Sequence, residues 1–257
     1  MKEAVPGIIL ITSCEKYRHI RLPKFMPSKS EYNGWKVFVM TGNPVQPEEY
    51  IIEGNMITVR AEDSYIHGLK KFSLTLKVLY SIYDIQQGIL SACDDLVWNE
   101  SALLHFLCSE KEDYMGWFEG PPRQVPVTET RADYAMVNYY KKHPKDFMNP
   151  LHRLPPFHLI QEMITVPIVQ YVSGVITYFS NKSVKILIDH LESINWDITT
   201  KDEFGYPYII ADIAIGYILN KNSVFGTKYN LWAVGDGIFE SDNWVTLHTE
   251  YMYEEDI

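Results

Sequence analysis

Two adjacent acids, Asp94 and Asp95, close the short apolar run Gly88-Ile-Leu-Ser-Ala-Cys93, and Asn99 then opens a candidate helix. An apolar strand that ends on paired carboxylates implies a cation beside it. Acids at the carboxyl end of a strand in an α/β sheet lie where such folds bind ligands. Carboxylate oxygens suit hard divalent ions such as Mg²⁺ and Mn²⁺, and such an ion can hold a diphosphate. The other chemically suggestive groups keep a fixed order. Trp35 to Thr41 and Asp63-Ser64-Tyr65 precede the acids; Ser173-Gly174, Asp212, Gly216 and His248 follow them.

Regular elements must hold these groups. Gly7 to Thr12 is a continuous apolar run, as in a strand buried on both faces. Trp35 to Thr41, closed by Gly42-Asn43-Pro44, reads as a strand and turn, and Met56 to Val59 as a third strand. Leu69, Phe72, Leu76, Leu79 and Tyr83 fall on one helical face. Gly88 to Cys93 is the next strand, and Glu100 to Cys108 a helix with Asn99 as N-cap. From Gly120 to Pro167 prolines recur among aromatic and basic residues, with Tyr134 to Val137 as a candidate strand. Gln170 to Phe179 is regular again. Ser180 then caps a helix bearing Val184, Leu187, Ile188, Leu191 and Ile194 on one face. Tyr208 to Leu219 is a further helix candidate and Trp244 to His248 a last strand. No linker or repeat divides the chain, so one α/β domain is expected.

The 257 residues suffice for a large core, and 46% are apolar. A formal charge of −10 argues against nonspecific nucleic-acid binding, which needs a basic surface. It leaves room for an anionic ligand held through a metal ion. Three cysteines, Cys14, Cys93 and Cys108, without CxxC spacing indicate no disulfide framework. No segment approaches ~20 consecutive apolar residues, so no transmembrane segment and a reducing, cytoplasmic setting are expected.

The ordered motifs resemble the β-1,3-glycosyltransferase superfamily that includes the galactosyltransferases and fringe. Ile20-Arg21 matches its Ile-Arg pair, and Trp35-Lys-Val-Phe-Val-Met-Thr-Gly42 its Trp-led strand, with one extra residue. Asp63-Ser-Tyr65 matches an Asp-x-Tyr that leads into a Lys-containing helix. Lys77 fits that helix by local pattern and Lys71 by distance to the acids. Cys93-Asp94-Asp95-Leu-Val-Trp-Asn99 matches the acid run, Tyr171-Val-Ser173-Gly174-Val175 a Ser-Gly strand, and Ala211-Asp212-Ile-Ala-Ile-Gly216-Tyr-Ile218 the late acidic helix. His248 matches a C-terminal histidine. The resemblance spans roughly Gly7 to Glu250. Cys93 and Ala211 depart from it, each standing where the family has an acid.

The resemblance implies a single GT-A type, Rossmann-like domain over 1–257, with a central mixed, mainly parallel sheet flanked by helices. Its nucleotide-binding half would be about 7–119 and its acceptor-binding half 120–250. It implies an inverting, Mn²⁺- or Mg²⁺-dependent transfer of a hexose or N-acetylhexosamine from a UDP-sugar donor to a glycan or glycoprotein acceptor. Asp95, His248 and Asp94 would be the metal residues, and Asp212 the base that deprotonates the acceptor. Asp63, Arg21, Lys71, Lys77, Cys93, Ser173 and Gly174 would line the donor site, with Trp117 and Gly216 on the acceptor side. Gly216, four residues after Asp212 on the same helix face, would leave room for substrate.

Each position also has a plain structural explanation. Asp94 and Asp95 could cap the next helix or pair with a surface lysine, and His248 could be a satisfied strand histidine. Asp212 could be an acid stabilised by the helix dipole, and Ser173-Gly174 a bulge. Asp63 could cap a helix. Trp117, Phe118 and Trp232 could be core, and Cys93 an inert small residue. Two rival functions remain: a non-catalytic nucleotide-sugar-binding scaffold of the same fold, and a retaining transferase.

Overall fold

The computed structural model describes residues 2–64, 67–119, 123–126, 144–148, 150–151, 165–196, 211–234 and 245–248. The expected strand at Tyr134 to Val137 lies outside the described residues, as do Tyr65, Tyr208 and Trp244. The side chains of Phe118, Trp232 and His248 also lie outside them.

The central strand is β1 (Glu3–Thr12). Its side chains alternate between two apolar layers, so Ile8 and Leu10 join one core and Ile9 and Ile11 the other. That explains the unbroken apolar run: both faces of the strand are covered. Parallel neighbours flank it, β3 (Trp35–Gly42) on one side and β6 (Tyr83–Cys93) on the other. Outward from β3 come β5 (Met56–Val59), then β4 (Tyr50–Glu53), with the short β2 (Glu31–Tyr32) also pairing β3. Outward from β6 come β11 (Tyr171–Ser180), β8 (Tyr114–Glu119) and β12 (Thr227–Lys228).

Three helices cover one face: α3 (Gly68–Ile82), α6 (Asn181–Glu192) and α7 (Ala211–Lys221). Leu69, Phe72, Leu76 and Leu79 of α3 pack there with Val184, Leu187 and Leu191 of α6. On the other face α4 (Glu100–Cys108) contributes Leu103, Phe106 and Leu107. Both expected caps form: Asn99 Oδ1 accepts from Ala102 N–H at 3.2 Å, and Ser180 Oγ from Ser183 N–H at 3.3 Å. Short helices α1 (Glu15–Arg18), α2 (Leu22–Phe25) and α5 (Pro144–Phe147) complete the described set. Two small sheets stand apart from the main one. The first pairs β9 (Arg123–Pro126) with β10 (Thr165–Ile168). The second contains β13 (Trp232–Val234), β14 (Thr246–His248) and β7 (Leu96–Trp98).

The architecture is α/β with a nine-stranded mixed sheet flanked by helices. The expectation of a mainly parallel sheet needs correction. Parallel pairing joins β6, β1, β3 and β5, whereas β11 runs antiparallel to both β6 and β8, and β4 antiparallel to β5. The β4–β5 reversal takes only the turn at Gly54 and Asn55, far shorter than the crossover a parallel pair demands. Among the described residues no helix is long and apolar enough to cross a membrane.

Candidate active site

The chain leaves β1 toward β3 and β5, then returns through α3 to β6 on the other side of β1. The crevice beyond the strand ends at such a reversal is where open α/β sheets bind ligands. Ser13 follows β1, Asp63 follows β5, and Asp94 and Asp95 follow β6. Strand order therefore gathers groups that lie far apart in sequence.

Asp94 and Asp95 meet a cation supplied by the chain. Arg21 Nη1 lies 3.1 Å from Asp94 Oδ1 and 3.5 Å from Asp95 Oδ2, and all three side chains are at least nine-tenths buried. Ser13 Oγ donates to Asp94 Oδ2 at 2.6 Å. Burial pushes the Asp94 carboxyl up, against the pull of Ser13 and Arg21. Burial also works against the Arg21 charge, and the two carboxylates more than offset it. The guanidinium also stacks on Tyr17, 3.7 Å from the ring centroid. Both oxygens of Asp94 are engaged, one by Ser13 and the other by Arg21. Neither acid caps α4, because Asn99 does so.

Asp63 ties the next wall together. Its Oδ1 accepts from Gly42 N–H at 3.0 Å and from Lys71 Nζ at 2.7 Å, and its Oδ2 from Glu15 N–H at 2.6 Å. Lys71 Nζ also donates to Ser13 O at 2.6 Å. The structure brings one of the two candidate lysines to Asp63 and Ser13. Lys71 is buried in the crevice, whereas Lys77 is half exposed and 3.1 Å from Glu192 on α6. Asp63 braces β3, α1 and α3 rather than presenting a free oxygen to a ribose. A cavity of about 320 Å³ opens beside this brace, lined by Glu15, Arg18, Gly42, Gln46 and Thr58 among others. Such a volume suits a small-molecule subsite.

The third cluster joins β6, β11 and α7. Cys93 Sγ donates to Gly174 O at 3.5 Å, and Gly174 N–H donates to Asp212 Oδ2 at 3.3 Å. Asp212 Oδ1 accepts from Ile213 N–H at 2.9 Å, within the first turn of α7. Ser173-Gly174 is indeed a bulge. Pairing with β8 jumps from Val172↔Phe118 to Thr177↔Gly116, so β11 carries extra residues opposite Trp117. Burial pushes the Cys93 thiol well up, reinforced by the nearby carboxylates of Asp95, Asp94 and Asp212. A thiol so disfavoured as thiolate is a poor nucleophile.

Trp117 is 37% exposed rather than core, with Lys228 Nζ 4.4 Å from its ring centroid. Gly216 does not stand open to substrate. It is buried, and a Cβ there would lie 2.5 Å from Tyr171 Cβ, so this glycine lets α7 lie close on β11. The room beside Asp212 comes from Gly174, which is exposed. Ser13, Glu15 and Gln46 were not singled out from the sequence. Ser13 carried the one available signal, a polar residue directly after an apolar strand.

Backbone pairing brings the remaining expected metal residue near. β14 runs antiparallel to β7 with His248 opposite Leu96, the residue after Asp95. Among the described residues no three His, Cys, Asp or Glu side chains form a ready metal-binding group. A carboxylate pair beside that histidine backbone has donor chemistry that fits Mn²⁺ or Mg²⁺. No family model matches the chain, and no curated protein matches it in sequence.

Proposed function

We propose that this chain is an inverting glycosyltransferase of the GT-A type, moving a hexose or N-acetylhexosamine from a UDP-sugar to a hydroxyl of a glycan or glycoprotein. One observation carries the reading. Ser13, Arg21, Asp63, Lys71, Cys93, Asp94, Asp95, Gly174 and Asp212, spread over most of the sequence, converge at the strand ends where the sheet reverses. Generic packing has no need to collect so many charged groups there.

The cavity beside Asp63 suits the nucleoside, and the acids beyond β6 suit the diphosphate end. Asp95 with His248 would hold a divalent ion, which when bound supplies Lewis-acid neutralisation of the departing diphosphate. Arg21 adds a fixed positive charge at the same point and holds Asp94 and Asp95 in register. Asp212 takes the proton of the acceptor hydroxyl. The acceptor oxygen then bonds to the anomeric carbon as the bond from that carbon to the diphosphate breaks, with inversion. Gly174 N–H aims one Asp212 oxygen, and the absent side chain at Gly174 leaves an approach open. Trp117 beside the bulge offers an exposed ring for an acceptor sugar.

A specific feature favours the scaffold alternative. Arg21 already pairs with both acids, and Cys93 and Ala211 stand where the resembled family has acids. Calorimetry of uridine diphosphate with Mn²⁺ and with chelator tests the reading, alongside Asp95→Ala. Tight binding with metal only, lost in the variant, is expected. Equal affinity with metal and with chelator would refute a metal-held diphosphate. Metal-dependent binding without sugar consumption over a broad acceptor panel would establish the scaffold.

A further inference from the structure

We infer that the outer edge of β4 docks an extended basic peptide segment by strand addition. Its test does not read sugar transfer, although Ile51 and Glu53 also border the cavity beside Asp63. β4 is the last strand of the main sheet, and nothing among the described residues pairs its outer side. Its register against β5 decides which backbone groups face outward. Arg60 N–H donates to Glu49 O at 2.8 Å, and Glu53 pairs Met56 across the turn, which Gly54 enters at φ +61°. Inward and outward residues alternate in an antiparallel ladder. Glu49, Ile51 and Glu53 therefore bond to β5 and its extension, while Tyr50 and Ile52 present N–H and C=O to solvent. Native sheets usually blunt such an edge with lysine, proline or a bulge. This one instead exposes Tyr50, Ile51 and Ile52, each between 36% and 38%.

Charge selects the occupant. Glu49 and Glu53 flank the apolar centre on the face that carries Ile51, and neither has an ion-pair partner among the described residues. A second copy of this chain is a poor fit. The register that bonds Tyr50 of one copy to Ile52 of the other sets Glu49 against Glu53 at both ends, and like charges directly opposed are destabilising. A strand with two basic residues four apart and an apolar residue midway meets both acids and Ile51 at once. Main-chain bonds at Tyr50 and Ile52 supply the rest, as in other strand-addition complexes.

The probe is a labelled peptide, acetyl-Thr-Lys-Val-Ile-Val-Lys-Thr-amide, whose palindromic core presents the same groups in either strand direction. Its control carries Glu in place of both Lys. Anisotropy with the whole chain should show binding of the Lys peptide and much weaker binding of the control. Ile52→Pro removes the outward N–H and leaves the bonds to β5, so it should abolish binding. Glu49→Lys with Glu53→Lys should weaken the Lys peptide about tenfold and reverse the preference. Should Ile52→Pro misfold, this exposed double substitution still decides the matter. No binding of the Lys peptide, equal binding of both peptides, or binding indifferent to both variants overturns the inference. A wild-type dimer in ultracentrifugation that Ile52→Pro dissolves would make the occupant a second copy, and overturns it too.

Discussion

Arg21 offers the most direct test of the acid cluster. Arg21→Met keeps a long apolar stem and removes the guanidinium that lies 3.1 Å from Asp94 and 3.5 Å from Asp95. Asp94 retains the Ser13 hydroxyl, but two adjacent buried carboxylates lose their shared counter-charge. Breaking a buried pair in this way costs about 3–5 kcal/mol. With a urea slope near the upper end of the usual range, ~3 kcal/mol/M, the midpoint should fall by about 1–1.7 M. The loss should depend on pH. Burial already holds the Asp94 carboxyl above its ordinary 3.8, so the variant can escape by keeping that acid protonated. The deficit is therefore smallest below pH ~3.8, where Asp94 is protonated in folded and unfolded chains alike. It grows as pH rises through the higher folded value.

Removing the competing cation should also tighten Mn²⁺ binding. A unit and a double charge ~5 Å apart repel by several kcal/mol even at an effective dielectric of 20, so a gain of at least ~10-fold is conservative. Saturating Mn²⁺ should then return at least ~1.4 kcal/mol of the deficit relative to the wild type. Urea melts with and without Mn²⁺, with calorimetric titration of the metal, read both effects. A metal-free loss under ~1 kcal/mol would refute the buried ion pair. A full loss that Mn²⁺ leaves untouched would refute the metal site while sparing the pair.

Other outcomes follow from the same geometry. Asp212→Asn should keep uridine diphosphate affinity near wild type and reduce transfer at least ~10²-fold; transfer at the wild-type rate would exclude Asp212 as the base. Product configuration by NMR should show inversion at the anomeric carbon, and retention would exclude that mechanism. Gly216→Ala should lower stability by about 1–3 kcal/mol, because its Cβ would meet Tyr171 Cβ at 2.5 Å; an unchanged melting temperature would disprove that close approach. The Lys182 ammonium holds the Asp113 carboxyl below its ordinary 3.8, helped by Ser180. That stability is present above pH ~3.8 and lost as pH falls through the lower folded value. Asp113→Asn should therefore flatten the acid side of the stability profile, and parallel profiles would discount the pair.

Local sequence determined the elements whose signal is local. The run from Gly7 to Thr12 needs cover on both faces wherever it sits. The spacing of Leu69, Phe72, Leu76 and Leu79 makes one helical stripe, and Asn99 and Ser180 cap the helices they precede. β8 was not anticipated, because Tyr114-Met-Gly-Trp-Phe-Glu119 alternates poorly and pairing with β11 makes it a strand. The acids after β6 were legible too, since strand-terminal charge is unusual in any fold. What cancels that charge was not. Arg21 lies 73 residues from Asp94, and only the reversal of strand order at β1 brings them within bonding distance. The same reversal chose Lys71 over Lys77. The two sit on one helix with similar local context, and which face meets the crevice is a property of packing. Tertiary structure also divided the two glycines expected to line the site. Gly174 stays open beside Asp212, while Gly216 is spent on letting α7 approach Tyr171. Which residues sit on a strand or helix is settled by neighbours a few positions away; which groups share a site is settled by sheet order, a property of the whole chain.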